Sequence, residues 1–122
     1  MRARIGNIMA GMVAAGIIII GARFLFDPRG AARAYGVPLD SDGDRWLTAV
    51  KGVRDVTSGL LLAAAMSLPG RAAARRALSV ATIIPLADGA IGASRYGARR
   101  PGMLAMHWGT AAFMVAGAAR LR

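Results

Sequence analysis

The chain has 122 residues, of which 56% are hydrophobic and 18% charged, with a formal net charge of +10 and no cysteine. This length fits one domain, and we expect residues 1–122 to form a single integral membrane domain. The lack of cysteine excludes disulfides, thiolate metal sites and cysteine nucleophiles. The arginines concentrate at predicted helix ends and in short loops, where they suit anionic lipid headgroups, so we expect no nucleic-acid partner.

The first predicted helix runs from Ile5 to Phe26. It contains no charged residue before Arg23, and this apolar run is close to the length that crosses hydrocarbon as a helix. A signal peptide is the rival interpretation, but the run is long for one and no small-residue cleavage site follows it. We therefore expect a retained helix that ends at Pro28, because proline lacks a backbone donor.

The second part of the chain alternates turns with helices. A short interfacial helix is predicted over Gly30 to Tyr35, stopped by the Gly-then-Pro order of Gly36-Val37-Pro38. A polar turn follows over Asp40 to Asp44, whose last residue is a candidate N-cap for helix two, and helix two is expected over Trp46 to Leu68.

Helix three is predicted over Ala77 to Ser94 with a kink at Pro85, and helix four over Pro101 to Ala119, where His107 is the one ionisable residue. A soluble helical bundle is disfavoured because such helices would carry wide polar faces. The fold class is therefore predicted as all-α: a four-helix transmembrane bundle, multi-pass in the cell membrane, with a short interfacial helix between helices one and two. Basic residues divide evenly between the two faces; our working orientation has both termini in the cytoplasm.

Small residues recur at intervals that let helices approach closely in lipid, as at Gly11 and Ala15, or Gly59 and Ala63. We interpret them as packing within one bundle rather than as a dimer face. A homo-oligomer or a partner membrane protein remains the alternative.

Ionisable residues interrupt the apolar segments, although charge in hydrocarbon costs several kcal/mol and is normally paired, functional, or both. Threading four antiparallel helices places all of these residues at one membrane face: Arg23, Lys51, Arg54, Asp55, Asp88 and His107.

Specific pairings follow from helical spacing. Lys51 and Asp55 lie four residues apart and can pair along helix two. Arg54 borders the same face and is expected to meet Asp88 of helix three in a bidentate pair. These four charges sum to zero, which fits a network that only locks helix register.

The functional alternative is a semi-polar pocket open to the membrane. Its predicted proton carriers are Asp88, His107 and Asp55. A single histidine and scattered aspartates supply too few ligands for a metal, and we expect no cofactor. Residues predicted to bind a lipophilic molecule there are Arg23, Lys51, Arg54 and Trp108.

At these positions the chain resembles a known family. The strings are Arg23-Phe24-Leu25 with Pro28, Tyr35-Gly36-Val37-Pro38, Lys51-Gly52-Val53-Arg54-Asp55 with Gly59, Pro85 with Asp88, and His107. They resemble an uncharacterised domain-of-unknown-function family of small four-helix bacterial and fungal membrane proteins, and more loosely the DoxX-like group. The resemblance covers nearly the whole chain; it implies the four-helix fold and no particular activity.

Three functions remain open from the sequence. The first is an accessory or structural subunit of a membrane complex. The second is a membrane enzyme that moves protons in the isomerisation or cyclisation of an isoprenoid, quinone or polyketide. The third is a small transporter, which is disfavoured because helix one has no acidic residue at its middle.

Overall fold

The computed structural model describes residues 1–37, 39 and 42–122, leaving aside the side chains of residues 42 and 43. Every regular element among these residues is helical, which confirms the all-α prediction. The elements are α1 (Arg2–Phe26), α2 (Pro28–Tyr35), α3 (Asp42–Ser67), α4 (Ala72–Ala81), α5 (Ile83–Tyr96), a short 3-10 turn (Gly97–Arg99) and α6 (Pro101–Arg120).

The chain turns sharply between α1 and α2. Asp27 ends α1, and its carboxylate accepts a hydrogen bond from the backbone N–H of Gly30 at 3.0 Å, while Pro28 occupies the first position of α2. Gly36 closes α2 in a left-handed conformation at φ 88°, and the N–H of Val37 reaches back to the carbonyl of Ala32 at 3.0 Å. The predicted stops are thus present, and the short helix begins at Pro28 rather than at Gly30.

The sequence predicted a polar turn before the next long helix and a helix cap at Asp44. Pro38, Asp40 and Ser41 lie outside the described residues, so the predicted turn there is not described. Helix α3 begins at Asp42, which places Asp44 inside the first turn and not at the cap. A carboxylate in that turn still interacts favourably with the positive end of the helix dipole.

Predicted helix three consists of two segments, α4 and α5, interrupted at Thr82. Pro85 causes the interruption because it has no N–H for the carbonyl of Ala81 and its ring crowds that carbonyl. The Thr82 hydroxyl donates to the carbonyl of Leu78 at 2.9 Å and so satisfies one buried group at the break. The disturbance expected at Pro85 therefore appears one turn earlier.

Helices α1 and α3 form the closest pair of the bundle. A Cβ atom on Gly21 would lie 2.7 Å from the carbonyl oxygen of Gly52, and one on Gly59 would lie 2.7 Å from that of Ala14. Backbone therefore touches backbone, as small residues permit. Of the small residues identified in the sequence, Gly59 serves this contact, whereas Gly11 meets only the end of Met66 at 3.7 Å.

The main core lies toward the end that carries both termini. Helix α6 packs against α1, α4 and α5, and α3 also contacts α4. Buried side chains here are small or aliphatic: Ala10, Val13, Ala14, Leu62, Ala74, Leu78, Met114, Ala118 and Leu121.

The outer surface of the bundle is strongly apolar. Two helical segments of the described chain, Arg2–Phe26 and Ala72–Arg99, are long and apolar enough to cross a membrane. Large apolar side chains also face outward from α3 and α6, including Leu60, Leu61 and Val115.

Candidate functional site

The charged residues of α3 pair with one another along the helix. The Lys51 ammonium lies 2.7 Å from Asp55 Oδ2, and the Arg54 guanidinium approaches Asp55 Oδ1 through Nη2 at 3.0 Å and Nε at 3.1 Å. Asp55 is only 5% exposed, so both of its oxygens are neutralised within the protein. The predicted pairing of Lys51 with Asp55 is present.

Asp88 of α5 contacts the other described side chains through one oxygen. Its Oδ2 accepts a hydrogen bond from the Tyr35 hydroxyl at 2.7 Å and lies 3.4 Å from Arg54 Nη2 and 3.7 Å from Lys51 Nζ. The expected bidentate pair between Arg54 and Asp88 does not form, because Arg54 directs its fork at Asp55. Asp88 Oδ1 has no partner among the described residues.

Tyr35 is a site residue that the sequence interpretation did not single out. Its ring packs edge-on against Phe24 at 5.6 Å and against His107 at 4.6 Å between centroids, and Lys51 Nζ lies 4.6 Å from the ring centre. Burial and the hydrogen bond to Asp88 raise the pKa of the Tyr35 hydroxyl well above its usual value, so the phenol stays protonated and acts as a donor. In the sequence, its position at the end of a short helix, directly before the helix-ending Gly36, was the feature that could have drawn attention to it.

His107 of α6 is the unsatisfied group of the site. Its side chain is 6% exposed, and its Nε2 has no hydrogen-bond partner in the described part of the chain. Leaving a buried polar atom unpaired costs about 1–3 kcal/mol. A ligand that supplied the missing partner would recover that cost.

These side chains surround a cavity of about 240 Å³ between α1, α2, α3, α5 and α6. The wall is mostly apolar, with Ile17, Ile84 and Met114 among its residues. Lining residues on α1 and α6, such as Ile20 and Met106, are exposed on the outer surface, so the cavity reaches the exterior on that side. Five residues from the sequence prediction line it: Arg23, Lys51, Asp55, Asp88 and His107.

Two of the predicted ligand-binding residues lie elsewhere. Arg54 is 44% exposed and contacts the cluster without lining the cavity, and Trp108 is 46% exposed and packs beside Gly89 of α5. Arg23 does line the cavity, at the end of α1, and forms no ion pair with a residue that the structure describes.

The predicted proton carriers differ in how firmly they are held. Asp55 and Asp88 both lie within 4 Å of Lys51 and Arg54 and are held in place by those contacts. His107 forms no ion pair with a described carboxylate, and its Nε2 has no hydrogen-bond partner among the described residues. The catalytic role of the three residues stays a prediction. Nowhere in the described residues do three histidine or carboxylate side chains come together as metal ligands.

Comparison with known proteins identifies the family. The profile described as "Domain of unknown function (DUF4267)" matches residues 14–121, so the chain belongs to this family. This confirms the resemblance to a domain-of-unknown-function family, while the looser DoxX-like resemblance stays a prediction. No curated protein and no solved structure matches the chain.

Proposed function

We propose that this chain is a four-span membrane protein that binds a lipophilic small molecule in the cavity beside His107. The membrane part of the proposal is supported by the outer surface. Large apolar side chains are exposed on α1, α3, α4, α5 and α6, and contiguous patches of that kind are rare on soluble monomers. In a membrane the same side chains would contact the apolar lipid chains.

The binding part is supported chiefly by one observation, the buried unpaired Nε2 of His107 beside an apolar cavity. Ligand sites are typically apolar clefts with a few polar groups that fix orientation. The cavity combines an aliphatic wall with one polar end formed by Tyr35, Asp88 and His107. The opening along α1 and α6 gives a molecule dissolved in the bilayer a direct way in.

Photolabelling tests occupancy of the cavity. Met114 lines the cavity and is 0% exposed, whereas its neighbours Phe113 and Val115 face outward at 37% and 57%. A short aliphatic diazirine added to the protein in lipid nanodiscs should therefore label all three residues. The outward pair reports contact with the bulk lipid, and Met114 reports entry into the cavity.

Two variants of α6 make the test specific. Thr110→Phe places a ring in the cavity and should lower Met114 labelling several-fold, while labelling of Phe113 and Val115 persists. Ala112→Phe adds the same ring on the exposed side, away from the cavity, and should leave Met114 labelling unchanged. Outward labelling without any on Met114 would contradict the proposal.

A structural role in a membrane complex is the second candidate, and the charge balance of the cluster favours it. Lys51, Arg54, Asp55 and Asp88 neutralise one another across α3 and α5, as a device that fixes helix register would. Under this role Asp88→Asn reduces folding or assembly and Met114 stays unlabelled. The proton-transfer enzyme would need the same occupied cavity, with His107 as its free base.

A further inference from the structure

Resting on the proposed binding function, we infer that the ligand is a neutral ring alcohol or phenol with an apolar tail, whose hydroxyl donates to Asp88 Oδ1. Asp88 Oδ2 carries the contacts with Tyr35, Arg54 and Lys51, and Oδ1 has no partner among the described residues. A carboxylate oxygen accepts hydrogen bonds, so a ligand group that binds Oδ1 has to be a donor.

His107 supplies the second contact. Its neutral ring has one N–H and one acceptor nitrogen, and the ring lies 4.6 Å from the Tyr35 ring whose hydroxyl binds Asp88. Both groups line the same cavity. A hydroxyl can donate to the carboxylate and accept from the imidazole at once, which an ether or a ketone cannot do.

The charge of the cluster selects a neutral molecule. Lys51, Arg54, Asp55 and Asp88 sum to zero, so a charged ligand group beside them would bring an uncompensated charge into a poorly solvated site. Among the described residues of the cavity wall, Arg23 is the one further cation. It is exposed at the end of α1, where its long side chain can reach a lipid phosphate without a ligand.

The volume of the cavity sets the size of the part that is enclosed. An apolar cavity of 150 Å³ holds benzene, so about 240 Å³ encloses roughly ten non-hydrogen atoms, which is one ring with its substituents. Any longer chain has to leave through the opening beside Ile20 and Met106, which are both apolar and exposed. The enclosed ring and the excluded tail together describe a lipid-like molecule with a small hydroxylated head.

A matched series of compounds tests this assignment by competition with the diazirine at Met114. Each member carries a para-nonyl tail on a benzene ring, and the heads are hydroxyl, methoxy, hydrogen, carboxylate and aminomethyl. The phenol should halve Met114 labelling at a concentration at least tenfold lower than any other member, since a hydrogen bond to a charged group contributes about 1.5–3 kcal/mol. Labelling of Phe113 and Val115 corrects for partition into the lipid.

Variants then assign the contact. Asp88→Asn and His107→Leu should each remove most of the preference for the phenol over the methyl ether, while Ala112→Phe keeps it. The compound series on the unaltered protein decides the matter even where a variant fails to fold. The ligand assignment is overturned if the ether competes as well as the phenol. It is also overturned if the carboxylate competes best and loses that advantage in Arg23→Gln. In both cases the binding function still stands. If Met114 is never labelled, the proposed function itself fails.

Discussion

Tyr35 connects the parts of the site that come from different helices. Its hydroxyl donates to Asp88 of α5, its ring touches His107 of α6 and Phe24 of α1, and Lys51 of α3 lies over the ring face. Burial and the bond to Asp88 raise the pKa of this hydroxyl, so the phenol stays protonated and can donate. Tyr35 therefore holds the Asp88 carboxylate by one oxygen and leaves the other free.

Removing the Tyr35 hydroxyl tests this arrangement. Tyr35→Phe keeps the ring contacts but takes a donor from a charged acceptor, and we expect it to lower the free energy of unfolding by about 1.5–3 kcal/mol. Denaturation in detergent would measure the change. Tyr96→Phe is the matched control, because Arg100 lies 4.8 Å from the centre of its ring and its hydroxyl forms no hydrogen bond with a described residue. Equal stability of the two variants would count against the role of the hydroxyl.

For single residues, the sequence alone identifies which charged side chains belong to the site, but it does not give all of the contacts between them. Charge inside an apolar helix is anomalous whatever the tertiary structure, so Lys51, Asp55 and Asp88 could be recognised directly. How Arg54 divides its donors between two carboxylates depends on side-chain geometry across two helices. Arg54 does contact Asp88 as predicted, but through one nitrogen at 3.4 Å, and its two-nitrogen contact is with Asp55. Tyr35 belongs to one of the strings that carry the family resemblance, but its role at the site could not be recognised from its residue type, because an aromatic residue in a short helix is ordinary.

Among the helices, the contact of α1 with α3 allows the least change. Gly52 of α3 faces Gly21 of α1, and a Cβ on Gly52 would lie 2.8 Å from the carbonyl oxygen of Gly21 and 2.9 Å from Leu25 Cγ. Gly16, on α1 as well, has no atom within 4 Å of the place where its Cβ would be. Substitutions at Gly52 and Gly16 therefore test helix packing and helix propensity separately.

Alanine substitution should act with opposite sign at these two positions. In a helix, replacing glycine with alanine normally stabilises by about 0.5–1 kcal/mol, and we expect that gain for Gly16→Ala. Gly52→Ala should instead destabilise by about 1–3 kcal/mol, because the methyl group forces the helices apart. Unfolding measured for both proteins in the same detergent compares them; a gain in stability at both positions would show that α1 and α3 are not in contact there.

The helices themselves follow from local chemistry more readily than their interruptions do. Pro28 and Gly36 act on their immediate neighbours, so the ends of α1 and α2 could be predicted from residue types alone. The break at Thr82 lies three residues before Pro85, because a proline disturbs the preceding turn rather than its own position. The start of α3 at Asp42 instead of beyond Asp44 reflects the ability of a first turn to accept acidic residues.

The molecule as a whole is divided along its length. One end packs small and aliphatic residues around Leu62, Leu78 and Met114, and the other holds the charged cluster, Tyr35 and the cavity. Antiparallel threading of the apolar segments was enough to predict this division, since each helix reverses direction at a turn marked by glycine or proline. A semi-polar pocket at these residues was predicted, but its volume could not be, because the volume depends on how far α1, α5 and α6 separate around Tyr35.

Cysteine accessibility tests the proposed passage of the whole chain through the membrane. The protein has no cysteine, so single substitutions report cleanly. Ala98→Cys, in the turn before α6, and Ala72→Cys, at the start of α4, lie in exposed positions at opposite ends of one long helical segment. With both termini in the cytoplasm, an impermeant thiol reagent should modify Ala98→Cys in intact cells and Ala72→Cys only after permeabilisation. Modification of both from the same side would contradict the four-span arrangement.

The division of the ion cluster between two helices has a consequence for biosynthesis. Lys51, Arg54 and Asp55 all belong to α3 and leave one positive charge over, which is compensated by Asp88 on α5. The ribosome completes α3 before α5 exists, so until Asp88 is made the three cluster residues of α3 carry one surplus positive charge. In the proposed membrane arrangement α3 therefore waits near the headgroups, and the arrival of α5 lets both helices settle to their final depth together.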